Sequence, residues 1–287
     1  MNILITGSNG QLGSEMRELS AAHPKHRYFF TDIVAADGVQ TLDITDRKAV
    51  TAFVQQNAID LIVNCAAYTN VDKAEDDEAT ALKINADALA VLGCQGLRVI
   101  HVSTDYVFSG EGHTPYRETD KAAPCTAYGR TKYEGEKRLL AECPEAVILR
   151  TAWLYSSYGN NFVKTMIRLG RDKGALGVVF DQIGSPTYAA DLAQAIFTVI
   201  ETPVWHAGIY HFTNEGVCSW YDFTLAIHEL AGVTQCKVSP ILSEEYQYKT
   251  PRPHYSVLDK SKFKKTFGVE IPHWQDGLRR CIAQLTI

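Results

Sequence analysis

A glycine-rich turn near the start of the chain limits what it can fold into more than any other feature. Asn2-Ile3-Leu4-Ile5-Thr6 is a short apolar run that feeds directly into Gly7-Ser8-Asn9-Gly10-Gln11-Leu12-Gly13. The next segment, Gln11–Ala22, carries its apolar residues at helical spacing. A strand, a glycine turn and a helix in that order make a cradle for phosphates, because the unpaired N–H groups and dipole of a helix N-terminus favour anions. Gly7 permits the tight turn, Gly10 lets the backbone approach a pyrophosphate, and Gly13 lets the helix pack on the strand. Gln11 and Leu12 open the helix beside the same site. The GxxGxxG spacing is one residue longer at the front than the common dinucleotide fingerprint.

The first half keeps a regular alternation. Strands are expected at Asn2–Thr6, Tyr28–Thr31, Leu61–Asn64, Arg98–Ser103 and Val147–Arg150, and helices at Gln11–Ala22, Asp46–Gln56, Glu75–Gly93 and Ala127–Glu142. Nearly continuous apolar strands alternating with helices predict an α/β fold, a doubly wound parallel sheet covered on both faces. Beyond about residue 150 the rhythm becomes irregular. Helices are expected at Asn161–Arg171, Ala189–Ile200 and Ser219–Ala231, and a strand at Gly208–Phe212. The stretch Pro240–His254 has no clear period. This predicts a dinucleotide-binding domain over 1–150 and a smaller substrate-binding lobe over 151–287, partly interleaved with the last sheet strands.

Composition narrows the class. A net charge of -5 argues against a broad basic surface for nucleic acid. No run approaches the roughly 20 apolar residues of a membrane span. The seven cysteines are an odd number with no CxxC pair, which fits reduced thiols in a cytoplasmic protein rather than a zinc or disulfide framework.

The candidate cofactor residues extend past the turn. Asp32 ends the second expected strand, where a carboxylate accepts hydrogen bonds from ribose hydroxyls and repels a 2′-phosphate; this favours NADH over NADPH. Asp43, followed by Ile44, either supports the cap of the next helix or contacts the adenine. Ala66 and Ala67 follow the third strand and are small enough to let a cofactor lie against the backbone.

Tyr128 and Lys132 lie four residues apart on one face of an expected helix. A phenol is a poor proton donor at neutral pH unless its environment changes it, and the ammonium of Lys132 is expected to favour the phenolate. Tyr128 then serves as the acid that protonates a reduced carbonyl, and Lys132 also holds the nicotinamide ribose. Ser103-Thr104-Asp105-Tyr106-Val107-Phe108 begins at the C-terminal end of the fourth strand, where ligands of open α/β sheets bind. The Thr104 hydroxyl is expected to polarise the substrate carbonyl.

On these residues the chain resembles the extended short-chain dehydrogenases and, within them, the dTDP-4-dehydrorhamnose reductase family. The motifs that carry the resemblance continue through Val63–Thr69, Val71–Glu75, Arg150-Thr151-Ala152-Trp153, Gly159–Phe162, Asp181–Thr187, Arg252-Pro253, Ser256 and Leu258-Asp259. The resemblance implies reduction of the C4 ketone of a dTDP-linked sugar by NADH or NADPH, with Thr104, Tyr128 and Lys132 catalytic. It also implies that Val102, Asp32, Asp43 and Tyr68 line the cofactor and that Thr69, Asp105 and Trp153 line the substrate. Trp153 suits stacking on a sugar or base as well as a place in the core, and Arg252 suits a diphosphate. Some members of the family are described as magnesium-linked homodimers. Glu15 is available here, but Tyr188-Ala189-Ala190-Asp191 offers no glutamate, so magnesium is left open and not predicted, as is a homodimer.

Two other readings share parts of this pattern. A 4,6-dehydratase or epimerase keeps the glycine turn and the Tyr/Lys pair, but the Asp-Glu pair of a dehydratase is missing after Thr104, where Asp105 is followed by Tyr106. A regulatory dinucleotide-binding subunit would not need Thr104, Tyr128 and Lys132 together.

Overall fold

The computed structural model describes residues 1–285. In chain order the first half holds β1 (Asn2–Thr6), α1 (Gln11–Leu19), β2 (Arg27–Asp32), β3 (Gln40–Thr41), α2 (Arg47–Gln56), β4 (Leu61–Asn64), α3 (Val71–Asp76), α4 (Glu78–Leu82), α5 (Ala88–Gly93), β5 (Arg98–Thr104), α6 (Ala127–Glu142) and β6 (Val147–Thr151). The second half holds β7 (Leu154–Tyr155), α7 (Phe162–Asp172), β8 (Ala175–Val179), β9 (Ile183–Gly184), β10 (Thr187–Tyr188), α8 (Ala189–Glu201), β11 (Gly208–His211), β12 (Cys218–Ser219), α9 (Trp220–Leu230), β13 (Lys237–Ile241), α10 (Ser261–Phe267) and α11 (Trp274–Gln284).

Seven strands form one parallel sheet in the order β11-β6-β5-β4-β1-β2-β3. Successive strand residues point to opposite faces, and both faces are covered. Ile3, Ile5, Val63, Ile100 and Leu149 pack against Leu12 and Met16 of α1 and Ile196 and Phe197 of α8. Leu4, Ile62, Val99 and Ile148 pack on the other side against Val50 of α2, Leu89 and Leu92 of α5 and Leu139 of α6. This two-sided burial is why the strands read as unbroken apolar runs. A third cluster, including Tyr155, Val163, Met166, Phe223, Ile227, Trp274 and Leu278, joins α7, α9 and α11. Two elements of the second half, α8 and β11, complete the sheet of the first.

Two expectations needed changing. The stretch Glu75–Gly93 is not one helix. Asp77 accepts from the Thr80 N–H and starts α4 afresh, and Lys83–Asp87 forms a turn of π-helix. Inside the irregular stretch, residues up to Ile241 form β13, which pairs in parallel with β8. Pro240 is tolerated there because this is a two-stranded pair with free edges. Among the described residues no helix is long and apolar enough to cross a membrane, and all seven cysteines are free.

At the end of β6, Arg150 forms a buried two-pronged ion pair with Glu136 of α6. Its Nε and Nη2 donate to Oε1 and Oε2 at 2.9 and 2.6 Å, and the two side chains are 3% and 1% exposed. Removing one partner strands a charge out of water, whereas removing both leaves an apolar gap. Arg150→Leu is therefore expected to lower unfolding stability in urea by about 3–5 kcal/mol. The double variant with Glu136→Leu should recover most of the loss. A double variant no more stable than the single one would contradict this account.

Candidate active site

The C-terminal ends of β1, β4, β5 and β6 open into a cavity of about 1210 Å³, closed on its far side by α7, β8 and the segment around Tyr248 and Arg252. At one end lies the glycine turn. Gly7 has φ +67, and a Cβ there would lie 2.5 Å from the Ala66 nitrogen. A Cβ on Gly13 would lie 2.2 Å from the Gly7 carbonyl oxygen, so α1 is pressed onto the turn. Gly10 caps α1, and a Cβ there would meet only the Gly7 carbonyl oxygen at 3.3 Å. Gly7, Gly10, Gln11 and Leu12 line the cavity, and Gly13 supports them from behind.

Asp32 lines the cavity at the end of β2. One of its oxygens accepts from the Asn9 N–H at 3.0 Å and the other from the Ile33 N–H at 2.8 Å. Asp43 and Ile44 lie on the same wall. Asp43 accepts from the Thr45 N–H and hydroxyl, both at 2.8 Å, whereas the cap of α2 is Asp46. Ala66, Ala67, Thr69 and Val102 also line the cavity. Tyr68 is set apart. Its ring packs against a cluster of Ala74, Ala81 and Ala127, and its N–H and carbonyl are both bound by the Asn85 amide.

Asn85 sits in the π-helical turn and is 1% exposed. Its Nδ2 also donates to the Thr131 hydroxyl at 3.2 Å, tying the β4 loop to the helix that carries Tyr128 and Lys132. A π-turn often marks a functional site. Nothing in the helical spacing of 75–93 distinguishes Asn85, so sequence reasoning missed it.

Thr104, Tyr128 and Lys132 meet at the end of β5. Thr104 accepts from the Tyr106 N–H at 3.2 Å and donates to Asp105 Oδ1 at 2.9 Å. Thr126 caps α6 by accepting from the Gly129 N–H at 3.0 Å. A Cβ on Gly129 would lie 2.2 Å from the Tyr106 carbonyl oxygen, so α6 lies directly on the turn after Thr104. The Tyr106 and Tyr128 rings then meet edge to face at 5.3 Å.

The electrostatics differ from the sequence expectation. Burial pushes the Tyr128 phenol up to about 12, and a hydrogen bond with Thr104 offsets only part of this. The Lys132 ammonium donates to the Val102 carbonyl oxygen at 2.7 Å. Burial pulls Lys132 down to about 8, while the Glu136 carboxylate works to raise it. At neutral pH the site therefore holds a protonated phenol beside a charged lysine. Asp105 is buried, its Oδ2 has no hydrogen-bond partner, and burial raises its carboxyl to about 7.

Trp153 and Arg252 line the other end of the cavity. Trp153 has φ +50, and its ring stacks on Trp220 at 3.5 Å. It therefore combines core packing on one side with a place in the cavity wall. Trp220 was not singled out in the sequence. Arg252 Nη2 donates to Asp72 Oδ2 at 2.9 Å, and its Nη1 is buried without a partner. Glu15 is buried and accepts from the Ser156 hydroxyl at 2.6 Å, and Asp191 pairs with Arg280. Among the described residues no group of three or more His, Cys, Asp or Glu side chains is placed to hold a metal ion.

Comparison with known proteins places this geometry. A probable dTDP-4,6-dihydroxy-2-methyloxan-3-one 4-ketoreductase of Streptomyces antibioticus is 41% identical, with 99% of this chain and 96% of that protein covered. A solved dTDP-4-dehydrorhamnose reductase of Clostridium acetobutylicum is 42% identical, superimposes with a TM-score of 0.93 and is covered end to end, as is this chain. The dTDP-4-dehydrorhamnose reductase of Bacillus anthracis, solved in complex with NADP, is 38% identical with a TM-score of 0.90 and 99% of each chain covered. The model of the RmlD substrate binding domain matches residues 1–287, and the chain belongs to that family.

Proposed function

We propose that the protein reduces the C4 ketone of dTDP-4-dehydro-L-rhamnose to dTDP-L-rhamnose, using NADH or NADPH. The observation that carries this reading is the convergence of Thr104, Tyr128 and Lys132 in one cavity with the glycine turn. That cavity runs from the turn at Gly7 to Arg252, which suits an extended dinucleotide and an extended sugar nucleotide laid end to end. Relatives of similar length named as dTDP-4-dehydrorhamnose reductases support it. Residues 1–150 serve as the dinucleotide-binding part and 151–287 as the substrate lobe. Free cysteines throughout suit a reducing cytoplasm.

The residues fit a nicotinamide dinucleotide. The turn at Gly7 and Gly10 is too tight for a Cβ at Gly7 and presents the N-terminus of α1 to the pyrophosphate. Asp32 holds the adenosine ribose, with Asp43 and Ile44 beside the adenine, and Ala66, Ala67 and Val102 leave room along the sheet. When bound, the reduced nicotinamide supplies the hydride. Thr104 turns its hydroxyl from Asp105 Oδ1 to the substrate carbonyl, donates a hydrogen bond there and draws charge onto its oxygen. Tyr128, fully protonated at neutral pH, passes its proton to that oxygen as negative charge develops there. Lys132 stabilises the phenolate that remains and holds the nicotinamide ribose. Thr69 and Asp105 orient the sugar, Trp153 packs on its face, and Arg252 leaves Asp72 to pair with the diphosphate.

Tyr128→Phe is expected to lower turnover by about 10²–10⁴, the range for losing a positioned acid, with near-normal cofactor binding. Full activity in NADH oxidation at 340 nm with this variant would sink the mechanism.

The reaction should also respond to pH. Lys132 is charged below about 8, and Tyr128 keeps its proton to about 12. kcat/KM for reduction should therefore carry a descending limb near pH 8 that belongs to Lys132, above any change near 7 from Asp105. Lys132→Met should be slow at every pH and lack that descending limb. A limb that persists in the variant would assign the titration to another group.

Asp32→Ala is expected to relax discrimination against NADPH. An unchanged ratio of kcat/KM for the two cofactors would show that Asp32 does not read the ribose.

A further inference from the structure

Three buried polar side chains lie in a row across the parallel strands behind the catalytic lysine. Thr6, Asn64 and His101 are in register on β1, β4 and β5, so their side chains share one face. All three are 1% exposed or less. Thr6 Oγ1 donates to Asn64 Oδ1 at 2.5 Å, Asn64 Nδ2 lies 2.9 Å from His101 Nδ1, and His101 Nε2 lies 3.2 Å from Lys132 Nζ. The mechanism above uses none of these side chains. A row of polar groups in a sheet otherwise filled with Ile, Val and Leu costs stability unless each group is paired.

An ammonium has three hydrogens and no lone pair. One hydrogen of Lys132 is taken by the Val102 carbonyl oxygen at 2.7 Å, and His101 Nε2 stands ready for the second. We infer that His101 is a positioning residue for Lys132: its Nε2 accepts from the charged lysine and, together with Val102, leaves a single N–H directed into the cavity. This rests on the reductase reading, in which that N–H serves the ribose and the charge of the ammonium favours the phenolate of Tyr128.

The chemistry of the row supports the assignment. Burial and the neighbouring Lys132 charge keep the imidazole neutral, its pKa well below the usual value, so it carries one proton. A charged lysine needs the lone pair on Nε2, which puts that proton on Nδ1. The Asn64 amide meets it by rotation about its Cβ–Cγ bond, which turns Oδ1 toward Nδ1. The Thr6 hydroxyl, donor or acceptor at will, then accepts from Nδ2. When the lysine is neutral, the opposite seating pairs Asn64 Nδ2 with Nδ1 and turns Nε2–H toward the amine. The row thus pairs both imidazole nitrogens in either charge state of Lys132, and the rotated seating gives up only the longer contact from Asn64 Nδ2 to the Ala66 carbonyl oxygen at 3.3 Å.

The other groups around the lysine leave this role open. Tyr128 and Glu136 are on its own helix, the first protonated and the second engaged with Arg150 of β6. Cys65, in the loop after β4, lines the same cavity as a thiol pushed up to about 12. Asp105, beyond β5, donates nothing to the lysine and accepts from Thr104.

The test uses the whole protein and two readouts. In His101→Leu the descending limb of kcat/KM should move down by about one to two pH units, the size of one hydrogen bond to a charged donor. His101→Gln, which restores an acceptor, should return it toward the original position. Independently, cofactor-free protein with nitrogen-15-labelled histidine should show the His101 proton on Nδ1 below pH 8 and its transfer to Nε2 as Lys132 loses charge. The missing resonance in His101→Gln assigns the signal.

A limb that stays put in His101→Leu, moves up, or drops equally at all pH values would overturn the inference. So would a proton found on Nε2 below pH 8. If His101→Leu fails to fold, the glutamine variant and the nitrogen spectra decide the matter alone. Absence of NAD(P)H oxidation by the unaltered enzyme would instead defeat the reductase reading.

Discussion

The site depends on how closely α6 lies against its neighbours. Two glycines on that helix make the approach. At Gly129 a Cβ would come within 2.2 Å of the Tyr106 carbonyl oxygen, and at Gly135 within 1.9 Å of the Asn85 carbonyl oxygen. Tyr128 and Lys132 lie beside and between these contacts. The first glycine fixes the distance from the phenol to Thr104. The second seats the helix on the π-turn, whose Asn85 also ties down the loop at Tyr68. Backbone against backbone leaves little freedom, so Tyr128 and Lys132 are set by rigid elements rather than by loops.

The Trp153 end of the cavity is held by different means. Trp153 adopts a backbone conformation that a bulky residue rarely takes, at a cost of about 1–3 kcal/mol. Its surroundings offset this. The indole stacks on Trp220, and a Cβ on Gly184 would come within 2.5 Å of it. The Trp153 carbonyl accepts from the Thr187 N–H at 3.1 Å as β7 and β10 pair. Nearby, ion pairs from Lys249 to Asp76 and from Arg252 to Asp72 join the segment after β13 to α3. The strained tryptophan is thus fixed from within the second half, and the segment beyond it is fastened to the first.

Much of the fold was legible because its strands are buried on both faces and its turns use residues with a single physical purpose. Asn2–Thr6 and Leu61–Asn64 form strands with the expected bounds, and Asn161 and Ser219 cap the helices expected to begin with them. What the sequence concealed depends on distant partners. Asn85 looks like any polar residue in a helix until Tyr68 and Thr131 fold against it. The break at Asp77 needs its cap to be seen, and β13 needs β8. The phenol of Tyr128 was expected to respond to Lys132. In three dimensions burial sets the direction, and the Lys132 amine is engaged with Val102. Spacing showed that the two residues share a helix face, but not which way the ammonium points.

The completion of the sheet by β11 has a consequence for the order in which the molecule is made. β6 is the edge of the sheet until Gly208–His211 pairs with it, and α8 must also arrive to cover the side of β1 that faces Phe197. Those segments leave the ribosome roughly 40–60 residues after β6, a delay of seconds at ~5–20 residues per second. During that interval Val147–Thr151, apolar along most of its length, is an open edge of the kind that pairs with other chains. The nascent protein is thus most vulnerable to aggregation after its cofactor turn has been synthesised and before its sheet can close, which is the window in which a chaperone would have most to shield.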